Sequence, residues 1–260
     1  MDNTDRVLFR NEDTVGVVTF NQPNLANSFT WELLGDLEEI QNSIAENSEI
    51  RAVVLQGNGK HFSAGMDLTT LQGTDFQFML RKIDWMQNIM SRWQELNIPV
   101  IAAIKGACIG AALEMALACD FRISTYTARF QLPEVGLGLS PDLGGTTRLA
   151  KLIGSGQAKR MLLGNEAIDG NEAHRIGLVE IIVNEEDLGL RTMKLAQRMA
   201  QMPPIGMRWA KKGVNLAADS SVTAGLLFEQ AQSIGCFMTE DIREGINSLI
   251  EKRQPQFKGR

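Results

Sequence analysis

Short β-rich runs alternate with helical periodicity through the first part of the chain, and this alternation narrows the fold more than any other feature. VGVVTF (Val15 to Phe20) and RAVVLQG (Arg51 to Gly57) are β-branched runs ended by turn residues. Between them Trp31, Leu34, Leu37, Ile40 and Ile44 recur at three- and four-residue spacing, which predicts an amphipathic helix. A second helix is predicted through Phe76, Met79, Ile83, Met86, Met90 and Trp93. PVIAAIKG (Pro99 to Gly106) reads as a third buried strand and DFRISTYTARF (Asp120 to Phe130) as a fourth. Strands separated by helices indicate an α/β chain with a largely parallel sheet. From about residue 145 the character changes: LVEIIV (Leu178 to Val183) is the last good strand. Helices are expected over 185–202, stopped by Pro203-Pro204, and then over 205–218, 221–238 and 240–253.

Charge and cysteine content restrict the function classes. The chain has 260 residues, 44% hydrophobic, enough for one substantial core with or without a small appended lobe. A net charge of −5 gives no support for a general nucleic-acid or membrane-surface binder, so an anionic ligand would need a local basic cluster. The apolar region from Val100 to Phe121 is interrupted by Lys105, Glu114 and Asp120, too many charges for a membrane span. The polar, acidic N-terminal segment MDNTDRVLFRNEDTV does not read as a signal or transit peptide. Cys108, Cys119 and Cys236 lie in apolar surroundings without C-x-x-C spacing, as small core residues of a reducing compartment do; a cytoplasmic setting is expected.

Common catalytic machinery is missing from the pattern. IGSGQAKR (Ile153 to Arg160) lacks a third glycine and the Gly-Lys-Ser/Thr ending of a phosphate loop. His61 and His174 are far apart with no acid or cysteine at ligand spacing, which argues against a zinc site, and no G-x-S-x-G elbow is present. Two strand-to-loop transitions remain. KHFSAGMDL follows the second strand with small residues that let a backbone approach a ligand, and Asp67 can anchor its turn. IKGACIGAALEMALAC leads a strand through Gly106 and Gly110 into a helix whose first N–H groups suit an oxyanion. Glu114 is the only charge between Lys105 and Asp120; it is either dipole-stabilised or chemical. FQLPEVGLGLSPDLGG (Phe130 to Gly145) places Glu134 and Asp142 in an apolar, glycine-rich loop, where an ionised carboxylate is costly unless paired.

FSAGMD, GACIGAALEMALACDFRIS, FQLPEVGLGLSPDLGGTTRL and the tail TEDIREGINSLIEKRQPQF, in this order and spacing, resemble the crotonase superfamily, the enoyl-CoA hydratase/isomerase family, over essentially the whole chain. The resemblance implies an α/β spiral of ββα units, with residues 1–200 forming the core for acyl-CoA binding and catalysis. Residues 201–260 would be a helical region that oligomerises and covers the active site, in homotrimers or hexamers built as dimers of trimers. It implies that the backbone N–H groups of Met66 and Ala111 form the oxyanion hole. Where the family often has glycine this chain has Ala111, which adds a methyl group to the pocket border. Lys60, the Ala64 carbonyl and Lys252 correspond to coenzyme A-binding positions; Leu68 and Phe76 would line the acyl pocket with Trp85 and Met86 behind.

Glu114 and Glu134 match the two glutamates with which the family's hydratases hold one water and add it across the 2,3 double bond. Asp142 stands where double-bond isomerases of the family carry an acid, and the dienoyl-CoA isomerases have one eight residues after the equivalent of Glu134. It is therefore either a proton carrier or, as Pro-Asp before paired glycines also allows, a cap for the helix expected over 144–152. The implied substrate is an acyl-CoA thioester, with no metal and no cofactor beyond the coenzyme A of the substrate. A non-catalytic or RNA-binding relative is the alternative from another class, but the helix over 76–97 offers only Arg81, Lys82 and Arg92 as basic residues.

Overall fold

All six residues of strand β2 (Val15–Phe20) are buried, as expected of a strand covered on both faces. β1 (Val7–Glu12) pairs with it antiparallel, and β3 (Ala52–Gly57) lies parallel on its other side. The sheet continues in parallel through β4 (Val100–Ile104), β6 (Phe121–Thr125) and β9 (Ile181–Val183). Between β4 and β6 comes β5 (Ala107–Ile109); it joins β7 (Arg129–Gln131) and β8 (Ile168–Asp169) in a second, three-stranded sheet. This computed structural model describes residues 5–260. Residues 1–4, which begin the N-terminal segment and the first unit discussed above, lie outside the described residues.

The segment 120–130, read from sequence as one strand, is two strands in two sheets. Tyr126 and Thr127 turn the chain out of the main sheet, and the Arg129 N–H then bonds the Gly106 carbonyl at 2.8 Å. Gly106, at φ +56°, performs the same turn between β4 and β5. Neighbouring strands thus leave one sheet at the same level and re-pair in the other, producing stacked strand–turn–strand units.

One face of the main sheet carries the larger core. There α1 (Trp31–Glu46), with Leu33, Leu34, Leu37 and Ile44 buried, packs with α3 (Phe76–Glu95) and the wholly buried α4 (Ala111–Ala118). On the other face α7 (Leu188–Ala200) covers Val15, Val17, Ala52 and Val54. α5 (Gly145–Leu163) and α6 (Gly170–Arg175) complete the core, while the short α2 (Leu68–Gln72) buries no residue. α8 (Pro204–Ala217) is anchored by Lys211, whose Nζ lies 2.7 Å from Asp120 Oδ2 and donates to the carbonyls of Trp93 and Ile98. α9 (Val222–Phe237) and α10 (Glu240–Glu251) follow, leaving Leu227, Ile234, Phe237, Leu249 and Ile250 exposed.

Candidate active site

Two loops meet beneath the ends of β3 and β4. Ser63 N–H bonds Ala107 O at 3.0 Å and Ile109 N–H bonds Ser63 O at 3.2 Å, a parallel bridge between Ser63 and Cys108. Met66 and Ala111 each lie three residues beyond that bridge. Gly65 makes the contact possible: it has φ +83°, and a Cβ there would stand 2.3 Å from the Ile109 carbonyl oxygen. On the outer side Phe29 takes the Gly65 carbonyl and the Asp67 N–H, so the intervening Met66 N–H points away from Phe29. Ala111 opens α4, where an N–H has no intrahelical acceptor. Two strand-like segments sit roughly 4.8 Å apart.

The loop before these donors is held from below. Asn27, fully buried, donates from Nδ2 to the carbonyls of Asn58 and His61 at 2.9 and 2.8 Å, while its Oδ1 accepts the Gln22 N–H. Ala64 donates its N–H to Ala26 O. Lys60 is exposed. Lys252 ends α10 with φ +56°, and no hydrogen bond or ion pair among the described residues joins it to the Lys60 loop.

Glu114 projects from α4 and is 1% exposed. Its Oε1 accepts the N–H groups of Leu143 at 2.9 Å and Gly145 at 2.8 Å. Glu114 therefore caps α5 from another helix. This corrects the reading of Asp142 as the cap. The N-cap is Gly144, at φ +113° and with no side-chain cap bond, so Asp142 lies two residues upstream of the position from which a side chain reaches the first-turn amides. Asp142 is instead exposed, its carbonyl accepting Gln87 Nε2 at 2.7 Å.

Glu134 opens a short turn, Glu134–Leu137, that brings it back over the start of α4. Gly110 lies against it: a Cβ at Gly110 would be 2.9 Å from Glu134 Oε1, just as one at Gly145 would be 2.8 Å from Glu114 Oε1. Glu134 Oε2 is buried with no hydrogen-bond partner among the described residues. Burial pushes Glu114 up to about 7 against the pull of its amide bonds, and the nearby charges of Glu134 and Asp142 add to the rise. Burial also raises Glu134, with Asp142 adding repulsion, and the protein packed around Asp142 raises its carboxyl although one side of the residue meets solvent. The charges of Glu134 and Asp142 thus act on Glu114, and that of Asp142 on Glu134.

The acyl-pocket residues are less uniform. Leu68 and Phe76 are exposed, whereas Met86 belongs to the main core. Trp85 faces α1, where its indole N–H bonds Glu38 Oε2 at 2.9 Å and Lys82 Nζ lies 4.7 Å from the ring centre. Gln87, two residues on and therefore about 200° around the helix, reaches the acid loop. A cavity of about 730 Å³ at the C-terminal ends of α1 and α3, lined by Ile44, Arg92 and Met207 among others, includes none of the acids.

Stacked strand–turn–strand units with a helical C-terminal region define a crotonase-fold protein. The sequence pattern of the Enoyl-CoA hydratase/isomerase family matches residues 10–260, and the chain belongs to that family. It is 34% identical to the short-chain-enoyl-CoA hydratase of Clostridium acetobutylicum, over 98% of this chain and 99% of that one. It is 31% identical to the crotonyl-CoA hydratase of Syntrophomonas wolfei, over 97% and 98%. The crystal structure of enoyl-CoA hydratase from Bacillus anthracis superposes with a TM-score of 0.95 at 34% identity, covering 98% of this chain and all of that one.

Proposed function

We propose that the protein is an enoyl-CoA hydratase. The observation that carries this reading is a pair of glutamates with raised proton affinity, Glu134 against Gly110 at the start of α4 and Glu114 within that helix, next to the loop that carries Met66. The thioester carbonyl would accept from Met66 and Ala111, which stabilise the oxygen as negative charge builds on it; one such donor is worth about 3–4 kcal/mol. Water held between Glu114 and Glu134 would give hydroxide to C3 while C2 gains a proton. One carboxylate takes a proton as the other supplies one, so the reactive form is the pair carrying a single proton. A C–O and a C–H bond form as the π bond and one O–H bond of water break, and no oxidant or reductant is needed.

Lys60 and Ala64 would hold the coenzyme A moiety, with Lys252 as a second cation toward its phosphates. Leu68 and Phe76 would border the acyl chain. Exposed apolar residues on α9 and α10 support assembly as a trimer or hexamer, in which those faces meet other subunits. Among the described residues no helix is long and apolar enough to cross a membrane. Free Cys108, Cys119 and Cys236 support a reducing, cytoplasmic setting.

A second reading, double-bond isomerisation, is favoured by Asp142, whose charge acts on both glutamates. Crotonyl-CoA and a 3-enoyl-CoA, each incubated with the protein in deuterated water, separate the two. Hydration with deuterium at C2 supports the first; isomerisation without hydration replaces it, and inertness toward both removes the enzyme reading.

A further inference from the structure

The loop that bonds Glu114 is gripped from its other side by one cation. Arg148 sits at the fourth residue of α5, near the end of the helix where the dipole works against positive charge. Burial works against the guanidinium as well. Three bonds hold it there. Nε donates to Gln94 Oε1 at 3.0 Å and Nη2 to Ser91 Oγ at 2.9 Å, both on α3, while Nη1 donates to the Leu143 carbonyl at 3.1 Å. All three acceptors are uncharged, so these bonds place the group without neutralising it.

Leu143 is the pivot. Its N–H bonds Glu114 and its C=O accepts from Arg148. Gly144 allows the two to coexist: a Cβ there would fall 2.0 Å from Arg148 Nη1. Gln87 adds its bond to the Asp142 carbonyl, so the carbonyl side of 142–143 is fastened to α3 and α5 while the amides of Leu143 and Gly145 face the carboxylate. We propose that Arg148 is a positioning residue for Glu114, fixing the two amides that its carboxylate accepts and adding a favourable charge beside it.

The groups that bear on Glu114 are Glu134 from its turn, Asp142 from the loop and Arg148 from α5. Those that bear on Arg148 are Glu114, Glu95 of α3 and Cys119 at the end of α4. Loss of Arg148 slackens the amide bonds and removes an attraction. Both changes favour the protonated carboxyl, so the proton affinity of Glu114 rises. A brace that served only the fold would leave that affinity where it is.

The inference rests on the hydratase reading for its kinetic consequence alone. The test is a ¹³C NMR titration of the Glu114 carboxyl, assigned with Glu114→Gln, in wild type and Arg148→Met. The midpoint should move up by about half a pH unit or more as the amide bonds weaken. Turnover of crotonyl-CoA should fall about tenfold or more with KM nearly unchanged, because the carboxylate rather than the substrate is displaced. An unmoved midpoint in a folded Arg148→Met protein overturns the proposal. Should that variant not fold, the Ser91→Ala, Gln94→Ala pair removes the brace and keeps the arginine; an upward shift supports the proposal and an unmoved midpoint overturns it. The titration needs no turnover, so an inactive wild type would sink the hydratase reading without touching this test.

Discussion

Gly145 donates its backbone N–H to Glu114 Oε1 at 2.8 Å, joining the start of one helix to the side chain of another. The oxygen that terminates α5 thus belongs to a group proposed to exchange protons with substrate. Capping favours the carboxylate, whereas burial and two neighbouring acids favour the carboxyl. An affinity near 7 is where these opposing influences leave the group, which is where proton exchange at neutral pH needs it.

Glu114→Gln keeps an oxygen for both amides and removes the titrating proton. We expect a folded protein whose hydration rate is down by about a hundredfold or more. Stability should diverge with pH. The Glu114 affinity is raised from 4.5 to about 7, so the folded state holds more protons than the unfolded state between those values. Wild type therefore loses stability as pH rises through that window, by up to about 3 kcal/mol, while the variant lacks this loss. Denaturant melts at pH 5 and pH 7.5 give the comparison; parallel pH trends in the two proteins would contradict it.

Asp142→Asn removes a charge that raises both glutamates, and it removes no cap. Thermal stability should stay within about 0.5 kcal/mol, the usual range for an exposed site. With repulsion gone, Glu114 gives up its proton more easily, so the alkaline limb of the hydration profile should move to lower pH. A kcat/KM profile from pH 5 to 9 measures this. Loss of 3-enoyl-CoA isomerisation with hydration intact would instead establish Asp142 as a proton carrier.

Gly110→Ala should be severe for two reasons. The backbone there, φ +56° and ψ −128°, is one that side chains avoid, at a cost of about 1–3 kcal/mol. The added methyl would also stand 2.9 Å from Glu134 Oε1. Gly154→Ala is the control, with φ +80° but open space around its Cβ position. Urea melts should show both variants destabilised, and turnover should collapse in Gly110→Ala alone. Equal activity in the two would separate Gly110 from the acid site.

Lys211→Met leaves Asp120 as a buried charge without its partner. The side chains are 7% and 14% exposed, so the loss should cost about 3–5 kcal/mol. Adding Asp120→Asn should recover much of it, because the amide oxygen can still accept the Val100 N–H now bonded to Oδ2. Guanidinium midpoints of the single and double variants check this; no recovery would mean that the ammonium matters mainly to the Trp93 and Ile98 carbonyls.

How much of this was readable beforehand depended on what decides each feature. The buried strands and amphipathic helices follow from local spacing, and they appear where the spacing puts them. The break within 120–130 does not: Tyr126 and Thr127 favour strand, and it is the distant Gly106 carbonyl that draws Arg129 into another sheet. Glu114 and Glu134 were visible as lone charges in apolar surroundings. Of the two readings that the sequence leaves for Asp142, the cap fails because paired glycines hide which of them begins the helix, and it is Gly144. The bond from Trp85 to Glu38 is not legible either, because periodicity orders residues around a helix without saying which neighbour each side meets. Arg148 looked like any charge near a helix start; its one clue was a sign opposed to the dipole.

The matching offsets of Met66 and Ala111 from the Ser63–Cys108 bridge make chain length, rather than chemistry, the sensitive quantity in this part of the molecule. Most side-chain replacements leave the number of peptide units between bridge and donor untouched. Inserting or deleting one residue within 63–66 would slide Met66 by about 3.3 Å and turn its N–H to the opposite edge, and a change within 108–111 would shift the start of α4 that carries Ala111. The stretch from Leu137 to Ser140 is exposed but not free, because the Leu139 N–H bonds the Glu134 carbonyl at 2.9 Å and closes the turn that carries that acid. Chains descended from this one should therefore keep both short spans beyond the bridge at three residues.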